Sequence, residues 1–268
     1  MEASPLKQAI RNGLRDALER DPSVVVLGEG VGYGDPLTDG LQEEFGDWRV
    51  LDAPHAPGAI VGAATGLALA GMRPVARIDR PLEAAAAIAA ASEARAPVLL
   101  ISTTGFEAPS GLAVMAPSNG RDARALVDAA LLGDAPVLLL ADPRCSATGQ
   151  ELADDPGPIG ARVVRAGDDV TVVTWGVGVG HALAAAERCD ASCEVIDLRT
   201  LLPLDLACIT TSLARTGKVV VLGGGSHGGR IASAIAEAAF TTLDAAPAIV
   251  DASDAESVLA AIDHLHQT

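Results

Sequence analysis

The sequence predicts an α/β fold of two tandem three-layer domains, each a mainly parallel sheet covered on both faces by helices. Three observations carry that expectation. Short, unbroken runs of Val, Leu and Ile recur along the chain, as fully buried parallel strands require. Segments with apolar residues at helical spacing alternate with them. The alternation stops over residues 146–160, where Gly, Pro and acidic residues cluster without periodicity, and then resumes. That break reads as an interdomain linker and divides the chain into domains 1–150 and 151–268.

Residues 6–20 have helical spacing and end at Asp21-Pro22, ahead of a β-branched run over 24–27. A polar loop to Asp39, a helix over 40–45 and a strand over 49–51 follow, the strand ending at Asp52. Residues 58–70 are rich in Ala and Gly, with small residues at Gly62 and Gly66, which suits a helix packed tightly against a neighbour. Next come a strand over 74–78, a helix over 83–95, strands over 98–103 and 111–116, a helix over 120–132 and a strand over 136–140. The second half begins with a strand over 170–175 and a helix over 181–188, then a strand over 194–197 and a helix over 206–215. A strand over 219–222, a helix over 230–240, a strand over 248–251 and a helix over 253–264 complete it.

At 268 residues and 49% hydrophobic content the chain can bury a substantial core, built from Ala, Val, Leu and Ile because only six aromatic residues occur. The formal charge of −16 repels polyanions and argues against nucleic-acid binding. No apolar run reads as a membrane span, and residues 1–5 lead into no signal-peptide pattern, so a cytoplasmic location is expected. Cys145, Cys189, Cys193 and Cys208 are too few for a disulfide scaffold. Cys189 and Cys193 lack the second ligand pair of a structural zinc site, which leaves ordinary thiols and no expected metal site.

Two glycine-rich turns could hold an anion. Gly176-Val177-Gly178-Val179-Gly180 follows a strand and precedes a helix, with Asp197 at the end of the next strand, as dinucleotide binding requires. The third glycine falls one position early, however, and His181 stands where Gly or Ala is needed; a tight strand-to-helix turn is the alternative. Residues 223–229 likewise join a strand to a helix, and their backbone N–H groups could meet a phosphate or carboxylate or form a permissive turn. There is no Walker loop and no nucleophile elbow.

Longer stretches say more. The first half contains Val24-Val25-Val26-Leu27-Gly28-Glu29, Gly40-Leu41-Gln42-Glu43-Glu44-Phe45-Gly46, Arg49-Val50-Leu51-Asp52-Ala53-Pro54, and a run from Gly62 through Gly66 and Gly71 to Arg73-Pro74. These resemble the pyrimidine-binding domain of the beta subunits of thiamine-diphosphate-dependent 2-oxo acid dehydrogenases of the pyruvate and branched-chain type. The second half contains Ile159-Gly160-Ala161-Arg162-Val163-Val164-Arg165 and Val195-Ile196-Asp197-Leu198-Arg199, running on to Pro203-Leu204-Asp205. These resemble the transketolase-type carboxy-terminal domain. The likeness runs in order over nearly the whole chain.

The resemblance implies an alpha-type partner in a two-plus-two heterotetramer, with thiamine diphosphate shared between the chains. The alpha chain would hold the diphosphate and Mg²⁺ through a Gly-Asp-Gly motif that is missing here, so this chain would supply the pyrimidine side alone. The acyl or two-carbon product would pass to a lipoyl or acyl-carrier domain. The family's glutamate that hydrogen-bonds the pyrimidine falls on Pro57, which can neither donate nor accept a proton. Its aromatic side chains after the third strand fall on Asp79-Arg80-Pro81-Leu82-Glu83, and its histidine loop is shortened between Ser102 and Leu112. The acidic residue usual before the second glycine-rich turn is Gly223. Glu29 matches a family glutamate near the cofactor and is the expected cofactor-binding residue; a strand-end carboxylate capping backbone amides is the alternative. His55, two residues from Pro57, and Glu83, at or beside the lost aromatic position, are the candidate substitutes for the missing catalytic group. The alternative is a non-catalytic scaffold subunit whose degenerate pocket supports the alpha chain.

Overall fold

A computed structural model of the chain describes residues 5–105, 107–145, 159–223, 225–251 and 254–267. The chain divides into two units, Met1–Thr148 and Gly149–Thr268. The expected boundary at 150/151, and residues 146–158 of the expected linker, lie outside the described residues.

The first unit runs α1 (Pro5–Arg20), β1 (Val24–Gly28), α2 (Leu41–Phe45), β2 (Val50–Asp52), α3 (Pro57–Leu69) and β3 (Arg73–Arg77). A 3₁₀ turn (Pro81–Ala84), α4 (Ala85–Glu93), β4 (Leu99–Ser102), β5 (Ala113–Met115), α5 (Gly120–Leu132) and β6 (Val137–Leu140) follow. Its strands lie in the order β5-β6-β4-β3-β1-β2, and each neighbouring pair is parallel. Every residue of β1 and β4 is buried, because helices cover both faces. In α1 the residues Leu6, Ile10, Leu14 and Ala17 form one buried stripe at helical period. Each fully buried leucine or isoleucine of this kind contributes about 1.5–3 kcal/mol.

The second unit contains β7 (Arg162–Arg165), β8 (Val170–Thr174), α6 (Gly178–Ala186), β9 (Cys193–Asp197), β10 (Thr200–Leu202) and α7 (Leu206–Thr216). It ends with β11 (Val219–Leu222), α8 (Gly225–Ala238), β12 (Ala248–Val250) and α9 (Ala255–His266). Its sheet has the order β12-β11-β8-β9-β7, parallel throughout except for β7, which runs antiparallel to β9. The architecture is the expected pair of mainly parallel α/β units. Among the described residues, no helix is long and apolar enough to cross a membrane.

Several boundaries differ from the sequence expectation. The helix expected over 83–95 begins as a 3₁₀ turn at Pro81, since Pro fixes φ and its missing N–H leaves nothing unpaired in a first turn. The helices expected from 181 and 230 start earlier, at Gly178 and Gly225, so both glycine-rich stretches are partly helical. The strands β7 and β10 were not expected: β7 is bounded by Arg162 and Arg165 and nowhere fully buried, so it lacks the unbroken apolar run of a covered strand, and β10 is three residues followed at once by Pro203.

At the carboxyl end of the first sheet, Gly28 pairs in register with Asp52 on one side and Arg77 on the other. A Cβ on Gly28 would stand 2.5 Å from the Arg77 carbonyl oxygen and 2.8 Å from the Arg77 Cβ. Gly28→Ala should therefore force β1 and β3 apart and lower stability by about 1–3 kcal/mol. Gly62→Ala, on the open side of α3 with nothing within 4 Å, should instead raise stability by about 0.5–1 kcal/mol through helix propensity. Urea unfolding of the two variants beside the parent protein measures both signs.

Candidate active site at the ends of β1, β2 and β3

Open parallel sheets place ligands beyond the carboxyl ends of their strands, where loops diverge and backbone groups remain unpaired. Three such loops meet in the first unit. Glu29 follows β1 directly. The Ala53 N–H donates to the Gly28 carbonyl at 2.9 Å, which holds the chain after β2 against the end of β1. That segment delivers His55 before α3 begins at Pro57. The third loop leaves β3 at Arg77 and carries Arg80 and Glu83 through the 3₁₀ turn.

These loops join four side chains into one hydrogen-bonded run. Glu29 Oε2 meets His55 Nδ1, and His55 Nε2 meets an Nη2 of Arg80. Arg80 Nη1 donates to Glu83 Oε1 at 2.7 Å. The structure thus brings together the three residues nominated from sequence, Glu29, His55 and Glu83. The connecting Arg80 was not nominated; its only sequence signal was its place in the segment that replaces the family's aromatic residues.

The run has one consistent proton assignment. A guanidinium only donates, so His55 Nε2 must accept from Arg80 and carries no proton. The imidazole proton therefore sits on Nδ1 and is donated to Glu29 Oε2. Both ring nitrogens are committed, whereas Glu29 Oε1 has no partner among the described residues. The Glu29 and His55 side chains are 42% and 37% exposed, so a ligand could reach the carboxylate without displacing the core.

Behind the run lies a buried ion pair. Arg77 Nε donates to Asp35 Oδ2 at 2.7 Å, with the two side chains 8% and 10% exposed, and Arg77 Nη2 contacts Asp79 at 2.5 Å. Asp35 also accepts from the Leu37 N–H at 3.0 Å, which ties the loop after β1 to the end of β3. Arg77 Nη1 is buried and has no hydrogen-bond partner among the described residues.

Pro57 occupies the first turn of α3, preceded by Ala56 as a cap without a side-chain bond. Its buried ring starts the helix where an acid could otherwise stand. Phe106, in the shortened segment between Ser102 and Leu112, lies outside the described residues.

The glycine-rich turns of the second unit are explained by packing. A Cβ on Gly178 would collide with Thr174 Oγ1, and one on Gly223 would enter the Trp175 ring. Asp197, where a ribose contact would be needed, is fully buried and lies 3.9 Å from the Arg162 guanidinium. The strand-to-helix turn is thus the better account of residues 176–180.

Residues 160–267 match the family model for the transketolase C-terminal domain. The chain is 36% identical to the pyruvate dehydrogenase E1 component subunit beta of Leifsonia xyli, over 91% of this chain and 85% of that protein. It is likewise 36% identical to the 2-oxoisovalerate dehydrogenase subunit beta of Bacillus subtilis, over 85% of this chain and 81% of that one. In three dimensions it is similar to a split-gene transketolase in an inactive beta4 tetramer, with a TM-score of 0.83 at 21% identity, covering 100% of this chain and 99% of that one. Transketolase from Leishmania mexicana gives a TM-score of 0.74 at 15% identity, over 97% of this chain and 45% of its own.

Two outcomes follow from the site geometry. ¹⁵N NMR of the imidazoles should find His55 protonated on Nδ1, and Arg80→Met should remove the donor that selects this form and let both tautomers appear. Asp35→Ala should cost about 3 kcal/mol in chemical unfolding, because it removes the buried carboxylate partner of Arg77 and leaves only the half-exposed Asp79, while Asp35→Leu combined with Arg77→Met should recover most of that loss.

Proposed function

This chain belongs to the family of the beta subunits of pyruvate and 2-oxoisovalerate dehydrogenases, and on that premise we propose that it is the pyrimidine-side subunit of a thiamine-diphosphate-dependent enzyme. It pairs with an alpha-type subunit in a two-plus-two heterotetramer in the cytoplasm. The assembly transfers an acyl or two-carbon unit to a lipoyl or acyl-carrier domain, and Mg²⁺ is held by the alpha chain. The observation that carries the reading is the run Glu29, His55, Arg80 and Glu83, gathered at three strand ends beside Pro57.

The residues present fit an aminopyrimidine in one respect: Glu29 offers a half-exposed carboxylate with one oxygen uncommitted. Glu29 would hold the pyrimidine, in place of the carboxylate lost at Pro57. When bound, thiamine diphosphate supplies a carbon nucleophile and an electron sink for cleaving a bond beside a carbonyl. The protein groups manage the proton. A proton taken by Glu29 would rest on Oε1 while the His55 Nδ1–H steadies Oε2, Arg80 holds the imidazole in place through Nε2, and Glu83 balances the Arg80 charge. Arginine remains protonated throughout and orients rather than transfers.

Assembly is supported by an apolar helix face left in water. On α3, Gly62, Ala63, Gly66 and Leu69 are exposed, with Leu69 at 66%. Small residues at this spacing let a second helix approach closely. The scaffold reading is favoured by one observation, the use of Pro57 to start α3 where the family's acid would stand.

Titration of thiamine diphosphate and Mg²⁺ into the chain assembled with its alpha-type partner, followed by turnover with 2-oxo acids and ketose phosphates, separates the two. The catalytic reading expects saturable binding and turnover, a loss of about 10²-fold or more in kcat for Glu29→Gln, and a comparable loss for His55→Ala. Assembly without binding or turnover would establish the scaffold reading instead.

A further inference from the structure

The second unit contains a pair of thiols that the proposed chemistry does not use. Cys189 lies in the turn after α6, and Cys193 is the first residue of β9. Their sulfurs are 3.3 Å apart. A disulfide needs roughly 2.05 Å, so the sulfurs are within roughly 1.3 Å of bonding distance.

We propose that Cys189 and Cys193 are a peroxide-responsive oxidation site that closes to a reversible disulfide between the α6 turn and the start of β9. The two thiols differ in exposure. Cys193 is fully buried in the apolar core formed with Val170, Val195 and Ala182, and its strand is held in register by β8. Cys189 is only partly buried, and its S–H donates to the Ala191 carbonyl at 3.2 Å. Burial, reinforced by the hydrogen bond to Cys189, pushes the Cys193 thiol up to about 12. Cys189 is therefore the sulfur that meets the oxidant, and Cys193 the one that resolves the product.

Hydrogen peroxide supplies the oxidising equivalents. The Cys189 sulfur attacks one peroxide oxygen, the O–O bond breaks, and the departing hydroxide takes up the thiol proton as water, leaving a sulfenic acid. The Cys193 sulfur then attacks the Cys189 sulfur, the S–O bond breaks, and the hydroxyl group leaves as water with the Cys193 proton. Two thiols and one peroxide become one disulfide and two waters.

The test uses the purified full chain, reduced, freed of reductant, exposed to hydrogen peroxide, alkylated, and mapped by peptide mass spectrometry. The expected result is a Cys189–Cys193 crosslink, with two of the four thiols lost and Cys145 and Cys208 still alkylated, and full recovery with dithiothreitol. Cys193→Ser should stop the reaction at a Cys189 sulfenic acid that dimedone captures. The Cys145→Ser, Cys208→Ser double variant should still form the crosslink, and it keeps the result interpretable if Cys193→Ser fails to fold. Oxidation of Cys189 to sulfinic acid beside an unmodified Cys193 thiol in the parent protein would overturn the proposal. So would four thiols that all remain alkylatable after peroxide.

Discussion

The register of three parallel strand ends governs where every group of the candidate site stands. Gly28 faces Asp52 on β2 and Arg77 on β3, and it lacks a Cβ because the Arg77 backbone fills that space. With the strands this close, the loops that leave them start within side-chain reach of one another. Glu29, His55 and Arg80 meet for that reason, although they come from three separate segments. A slip of one residue in either pairing would turn their side chains to the wrong faces and dissolve the run.

Electrostatics organises the site in two layers. Asp35, Arg77 and Asp79 form the inner one, an ion cluster that anchors the β1 loop to the end of β3. Such a cluster contributes little net stability when intact but is costly to break, so it serves chiefly to hold the loop in one arrangement. The outer layer alternates carboxylate, imidazole, guanidinium and carboxylate. Each charge there has a neighbour of opposite sign or a neutral ring, which lets four polar groups share a confined edge in a chain of net charge −16.

The second unit spends its unusual residues on packing. Glycines at 178 and 223 make room for Thr174 and the Trp175 ring, and Asp197 is enclosed beside Arg162. Features that read as ligand turns in isolation are thereby consumed by strand-to-helix junctions in a tightly filled sheet.

The sequence by itself determined the two α/β units and most of their elements, because an alternation of buried strands and helices is a local, periodic property. It also marked Glu29, His55 and Glu83 as groups of the right chemistry near an altered position, Pro57. It did not reveal β7, a four-residue edge strand whose existence depends on pairing with β9 about thirty residues away. Nor did it reveal Arg80 as the link between His55 and Glu83, the proton on Nδ1 of His55, or the closeness of Cys189 and Cys193. Only the tertiary structure decided those, because each depends on which loop ends the strand register brings together and on which nitrogen, oxygen or sulfur then lies within hydrogen-bond reach.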